Sequence, residues 1–213
     1  FLLYARYVCP NYSRRSTDLS SNGVLAFHSN LQWLRNLWFS PKHQESWKKV
    51  MKILLTGFEP FGTATSNPSG EIVKQISDVN IVTAILPVAY RQSAERLLAL
   101  ITEHNPDVVI CLGQAEGRTQ ITPEKVAINL DDARLADNEG VLRNDVKILD
   151  SGPDAYFSTL PVKEIVEAIK AKGVPAAVSL SAGTFLCNHV FYVAQNKFAG
   201  THVRSGFVHV PLM

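Results

Sequence analysis

Four short apolar runs, each ending beside glycine or proline and separated by stretches of helical periodicity, constrain this chain most. They are KILLTG (52–57), NIVTAILPV (80–88), DVVICLG (107–113) and GFVHVP (206–211). Continuous apolar runs of this length suit strands buried on both faces of a parallel sheet; half-buried strands would alternate. AAVSLS (176–181) reads as a further strand, and VAINL (126–130) as another, followed by the polar, turn-rich DDARLADNEG. Between them lie helices. Asn67-Pro68 offers an N-cap and an N1 proline for a helix through Ile76. QSAERLLALITEH (92–104) places Leu97, Leu98 and Ile101 on one side. After Pro161, Val162, Ile165, Val166 and Ile169 recur at i, i+3, i+4 and i+7, with Gly173 as C-cap, and LCNHVFYVAQNKF (186–198) is a last helix. Strands joined through helices predict an α/β fold, with a mostly parallel sheet covered on both faces.

Residues 1–50 follow no such pattern. They hold all three tryptophans, and Leu31, Leu34 and Leu37 suggest only a short helix around Ser29–Trp38. The pattern changes at Met51, which divides the chain into an atypical segment, 1–50, and a domain, 51–213. With 46% hydrophobic and 19% charged residues the chain is globular. Its net charge of +2 gives no field for nucleic acid. No apolar run approaches the ~18–20 residues of a membrane span, and FLLYARYVCP lacks the order of a signal peptide. Three cysteines, Cys9, Cys111 and Cys187, form no disulfide framework and fit a reducing, cytoplasmic setting.

Sites in open parallel sheets gather at the carboxyl ends of strands. That rule selects Gly57 to Gly62, Gly113-Gln114, the turn before Cys187, and His209. Cys187 follows a strand and a turn and opens a helix, where unpaired N–H groups and the helix dipole favour thiolate and can hold an oxyanion. A small buried hydrophobe is the competing reading. A base is needed for the first. His189 lies about 200° around the helix from Cys187, which places it on another face and weakens a shared metal site. No CxxC or HxxxH spacing points to metal. His104 suits a helix C-terminus, and His202 a polar loop. His209, between Val208 and Val210, is either a core histidine or the partner of Cys187, and Glu124 either a solvated charge or its orienting carboxylate. Spacing alone leaves this triangle open.

MKILLTGFEPFG (51–62), GQAEGRTQITPEKVAINLDDAR (113–134), SAGTFLCN (181–188) and GFVHVP (206–211), in that order, closely resemble the pyrrolidone carboxyl peptidases, also called type I pyroglutamyl peptidases. DNEG (137–140) and LPV (160–162) fall between them, and the resemblance runs from Met51 to Met213. It implies a three-layer α/β/α fold of the phosphorylase/hydrolase-like kind. It implies Cys187 as nucleophile, His209 as general base and acid, and Glu124 as orienting carboxylate, without metal or cofactor. The implied substrates are peptides with N-terminal pyroglutamate, and the implied assembly is a dimer or tetramer. Phe58, Phe61 and Phe185 are expected to wall the flat lactam ring, Gln114 to pair with its amide, and Arg134 to assist the oxyanion. A nucleoside phosphorylase-like activity would need a glycine-rich phosphate loop, which the sequence does not offer.

The resemblance also carries two departures. Family members begin near Met51, so residues 1–50 are expected to be foreign to the domain. They also continue past the equivalent of Met213 into a helix over the sheet. An inactive or weakly active fragment that at most binds ligand is therefore the alternative expectation.

Overall fold

Pleat parity sorts the apolar residues of the strands into two cores. The computed structural model describes residues 51–212. The helix expected around Ser29–Trp38, and Cys9, His28 and His43, lie outside the described residues. The first strand, β1 (Ile53–Phe58), turns Leu54 and Phe58 to one face and Ile53 and Leu55 to the other. β3 (Val108–Ala115) does the same with Val109 and Cys111 against Val108, Ile110 and Leu112, and β7 (Arg204–Pro211) with Phe207 against Val208. These strands, with β2 (Ile81–Leu86) and the short β4 (Thr122–Pro123), form one sheet in the order β2-β1-β3-β7-β4. All pairs are parallel except β4 with β7.

Four helices of the described residues cover the two faces. Leu97, Leu100 and Ile101 of α2 (Tyr90–His104) and Leu186, Val190, Phe191 and Ala194 of α4 (Leu186–Lys197) join the Leu54 face. Val73 of α1 (Pro68–Lys74) and Val162 and Ile165 of α3 (Val162–Lys170) join the Ile53 face. The result is the three-layer α/β/α arrangement the strand–helix alternation implied. Each fully buried Leu, Val or Phe contributes roughly 1.5–3 kcal/mol, so both cores work to hold the strands in register.

Some local expectations needed revision. AAVSLS does not form a regular strand: Ala176 and Ser179 make isolated parallel bridges to Ile121 and Glu124. β4 is only two residues long, so it offers too short an edge for a ladder to propagate. The VAINL strand exists as β5 (Val126–Ile128), but it pairs antiparallel with β6 (Ala155–Phe157), outside the main sheet. In α2, Leu100 is the third buried leucine-type position, while Leu98 is only partly buried. α1 stops at Lys74 and not at Ile76, although Ile76 is still buried. α3 ends at Lys170 and closes through Gly173, whose N–H reaches Lys170 O (2.8 Å) while Val174 N–H reaches Ile169 O (3.4 Å). That pairing requires the left-handed φ of +75° that glycine adopts without strain.

Asn67 anchors the start of α1. Its Oδ1 accepts from Ser69 N–H (3.1 Å) and Ser69 Oγ (2.8 Å), and its Nδ2 donates to Glu59 O (3.0 Å). Asn67→Ala is expected to lower stability by about 1–2 kcal/mol, the range for a lost N-cap. Urea unfolding followed by circular dichroism checks this; an unchanged midpoint would contradict it.

Candidate active site

The parallel register of β3 and β7 sets Gly113 opposite His209. Paired residues of adjacent parallel strands point to the same face, as Cys111 and Phe207 do. The missing side chain of Gly113 shows what occupies that face. A Cβ there would lie 2.8 Å from Cys187 Sγ and 2.6 Å from the Phe207 ring. Cys187, in the first turn of α4, therefore sits over bare backbone, on the side of the sheet to which the His209 imidazole projects. The Phe207 and His209 rings meet at a tilt of 55°, with centroids 4.9 Å apart.

His209 is buried, and its Nδ1 lies 2.7 Å from Glu124 Oε1. Glu124 is fully enclosed. Its backbone N–H donates to Phe207 O (2.9 Å), which fixes the carboxylate beside β7. Arg118 Nη1 donates to the same Oε1 at 2.6 Å, and Glu124 Oε2 has no hydrogen-bond partner. Cys187, His209 and Glu124 are thus brought to one place from α4, β7 and the segment after β4.

The charge balance favours a neutral pair. Burial pushes the Cys187 thiol up to about 12; the Glu124 charge adds to this, and Arg118 and the Cys187 backbone N–H oppose it. Protein atoms ring the sulfur closely, although part of the residue stays open to solvent. Burial also lowers His209, outweighing the pull of Glu124 toward the charged form. The helix N-terminus does not override desolvation here, so the sulfur rests as a thiol beside a neutral imidazole, as a base that takes the thiol proton requires. What the helix start supplies is donors. The first intrahelical bond is His189 N–H to Phe185 O (3.1 Å), and Phe185 gives no side-chain cap, so the preceding N–H groups have no helical acceptor.

The aromatic residues divide by depth. Phe61 and Phe185 are half-buried, with ring centroids 5.2 Å apart. Phe58 is buried in the core, 6.5 Å from Phe207, and forms floor, not rim. Gln114 is half-buried at the end of β3; by parity its side chain goes with Leu112, away from the Gly113 side. Arg134 is exposed and pairs with neither buried carboxylate. No cluster of metal-binding side chains occurs among the described residues.

Residues 51–213 match the pyroglutamyl peptidase family. The chain belongs to that family. A pyrrolidone-carboxylate peptidase of Vibrio vulnificus is 50% identical over 169 residues, covering 77% of this chain and 80% of the relative. One from Bacillus velezensis is 49% identical over 167 residues, covering 75% and 78%. The crystal structure of pyroglutamyl peptidase I from Bacillus amyloliquefaciens superposes with a TM-score of 0.75 at 48% identity, covering 76% of this chain and 82% of that one. A mutant pyrrolidone carboxyl peptidase from Pyrococcus furiosus gives 0.71 at 40%, covering 76% and 82%.

Within this pyroglutamyl peptidase fold several site residues escaped the sequence reading. Arg118 and Phe207 touch the catalytic candidates directly. His189, expected on another helix face from Cys187, is buried, with Nδ1 2.8 Å from Asp131 Oδ2, and Arg143 Nη1 donates to the same oxygen at 2.5 Å. Its ring meets Tyr90 edge-on, with centroids 5.4 Å apart. Only the direction of His189 was legible; nothing in the spacing identified Asp131 as its partner.

Because Cys187 rests as a thiol, its alkylation by iodoacetamide is expected to quicken about tenfold per pH unit well into the alkaline range. A rate already level near neutral pH would show a preformed thiolate. Gly113→Ala is expected to abolish hydrolysis by displacing Cys187 and Phe207, with a stability loss of about 1–3 kcal/mol typical of overpacking. An active, native-like Gly113→Ala protein would refute that placement.

Proposed function

We propose that this chain removes N-terminal pyroglutamate, 5-oxoproline, from peptides through a thioester on Cys187. The observation that supports this most is the 2.7 Å contact of His209 Nδ1 with buried Glu124, in a register that turns the imidazole toward the Cys187 side of the sheet. The family membership supplies the substrate class.

With Nδ1 bonded to Glu124, the other ring nitrogen, Nε2, is the base. It takes the Cys187 proton as Sγ bonds to the carbonyl carbon joining pyroglutamate to the next residue. Negative charge moves to the carbonyl oxygen, where the uncapped N–H groups of the first turn of α4 receive it. Arg134, which is exposed, is the second proposed donor to that oxygen. As the tetrahedral carbon collapses, the C–N bond breaks and His209 returns the proton to the leaving amine. Water, deprotonated by His209, then attacks the thioester and restores the thiol.

The lactam is flat and uncharged, and so is its proposed wall. Phe61 and Phe185 meet at the rim and Phe58 underlies them, while Gln114, on the other face of β3, would have to reach the lactam amide around the end of the strand. The inert-fragment alternative gains no support: the nucleophile, base and carboxylate come together within the described residues. No helix of the described residues is long and apolar enough to cross a membrane. A cytoplasmic setting suits a thiol nucleophile, which must stay reduced, and a homo-oligomeric assembly is carried over from the resemblance.

The test is hydrolysis of pyroglutamyl-aminomethylcoumarin. Cys187→Ser is expected to reduce kcat/KM by roughly 10³-fold or more, with the circular dichroism spectrum unchanged. Turnover retained by the serine variant, or none by the parent chain, would sink the proposal.

A further inference from the structure

Between β3 and β4, the loop 116–121 carries Arg118, which turns back at Ala115 (Arg118 N–H to Ala115 O, 3.3 Å). Its guanidinium holds three acceptors on two separate segments. Nη1 donates to Thr122 Oγ1 and to Glu124 Oε1, and Nη2 donates to Ser181 O at 2.9 Å. Thr122 is the register partner of His209 across the β4–β7 pair, and Glu124 is the carboxylate on His209 Nδ1. Ser181 begins the turn that leads six residues later to Cys187. A single planar fork therefore joins the strand edge beside the base to the approach of the nucleophile.

We infer that Arg118 is a positioning residue of the Cys187–His209 pair, one that locks the Glu124 carboxylate against the imidazole and ties it to the turn before Cys187. The inference rests on the peptidase reading above. Glu124 explains why such a lock is needed. Its Oε1 receives both His209 and Arg118, while Oε2 is buried and unpartnered. Without the guanidinium, His209 would be the carboxylate's only side-chain partner, and the angle at which Oε1 meets Nδ1 would be less firmly fixed. The buried charge would also lose its counter-ion, and breaking a buried pair by removing one partner is strongly unfavourable.

The charge acts on both reacting groups. Glu124 draws His209 toward the imidazolium, and Arg118 opposes that; Arg118 also lowers the Cys187 thiol, against burial and Glu124. The titratable groups facing His209 are Glu124 and Arg118 from the β3–β7 crossover, and Cys187 from α4, while β3 brings Gly113 beside it and Cys111 one pleat further. Loss of the Arg118 charge therefore raises both groups. The base becomes available only at higher pH, and the thiol is harder to ionise.

Lysine and glutamine separate charge from geometry. Lys keeps the charge but not the planar fork, and Gln keeps a hydrogen-bond donor but no charge. With pyroglutamyl-aminomethylcoumarin as substrate, Arg118→Gln is expected to lower kcat about 10–100-fold, a part of the ~10²–10⁴-fold a placed general base supplies. KM should stay within about threefold, since Arg118 is assigned no substrate contact, and the acid limb of kcat/KM should move to higher pH. Arg118→Lys should keep the acid limb of the parent with an intermediate kcat. In parallel, iodoacetamide should alkylate Cys187 more slowly in Arg118→Gln than in the parent at each pH. That readout stands even if the parent hydrolyses nothing, which would overturn the peptidase reading alone. Parent-like kcat, pH profile and alkylation in Arg118→Gln would overturn the role of Arg118. Equal loss in both variants with an unmoved acid limb would make it a stabilising contact only, and would also overturn it.

Discussion

The register of β3 against β7 is the constraint on which the site depends. A strand shifted by one residue turns every side chain to the opposite face. Slipped in that way, His209 would join Val208's side, and the sulfur over Gly113 would face a valine. The register is protected by burial on both faces: Val109, Cys111 and Phe207 pack under α2 and α4, and Ile110, Leu112 and Val208 pack under α1 and α3. Either slip would put apolar residues into the wrong core. Gly113 completes the arrangement, because only a residue without Cβ lets α4 bring Cys187 down onto the strand.

Two fully buried carboxylates then connect the layers. Glu124 and Asp131 lie seven residues apart, and each binds a histidine Nδ1 and an arginine Nη1 through one oxygen. Burying such charges costs several kcal/mol per ion, so neither arrangement is an economical source of stability. Their value is in what they join. Glu124 holds the strand that carries His209; Asp131 holds α4 two residues beyond Cys187. Asn188 reinforces the second link by accepting from Ile128 N–H and donating to Ile128 O and Leu130 O. One segment, 124–131, therefore braces both the strand of His209, the proposed base, and the helix of Cys187, the proposed nucleophile. Arg118 ties that segment to the turn ahead of the nucleophile.

How much of this was legible follows from the range of each interaction. The four main strands and four helices are written in local periodicity, and so are the Asn67 cap and the Gly173 closure. Cys187 and His209 were visible as candidates because strand ends and helix starts are local features. Their juxtaposition was not, since it depends on a register between residues that are far apart in the chain. The irregular pairing of 176–179 shows the reverse case. Its composition suits a strand, but the two-residue β4 gives it no ladder. Helical angle alone turns His189 away from Cys187 but says nothing of the Asp131 and Tyr90 it meets. Arg118 resembled any loop arginine until Glu124, Thr122 and Ser181 were seen to converge on it.

The same comparison of magnitudes decides the state of the sulfur. A helix start favours an anion by about 0.3–1 kcal/mol at exposed sites, and rarely by more than ~2 kcal/mol. Enclosure by Phe207, the sheet and α4 works against the anion, and Glu124 adds a like charge nearby. Desolvation wins, and the resting pair is thiol and neutral imidazole. Such a pair matches an uncharged lactam: no fixed ammonium or carboxylate need be met on the substrate, and charge separates only as the carbonyl is attacked. In the proposed reaction the developing oxyanion would then meet uncapped N–H groups, and the developing imidazolium a carboxylate already in place. The electrostatic preference is thereby directed at the transition state and not at the resting thiol, which is the condition under which binding groups raise a rate.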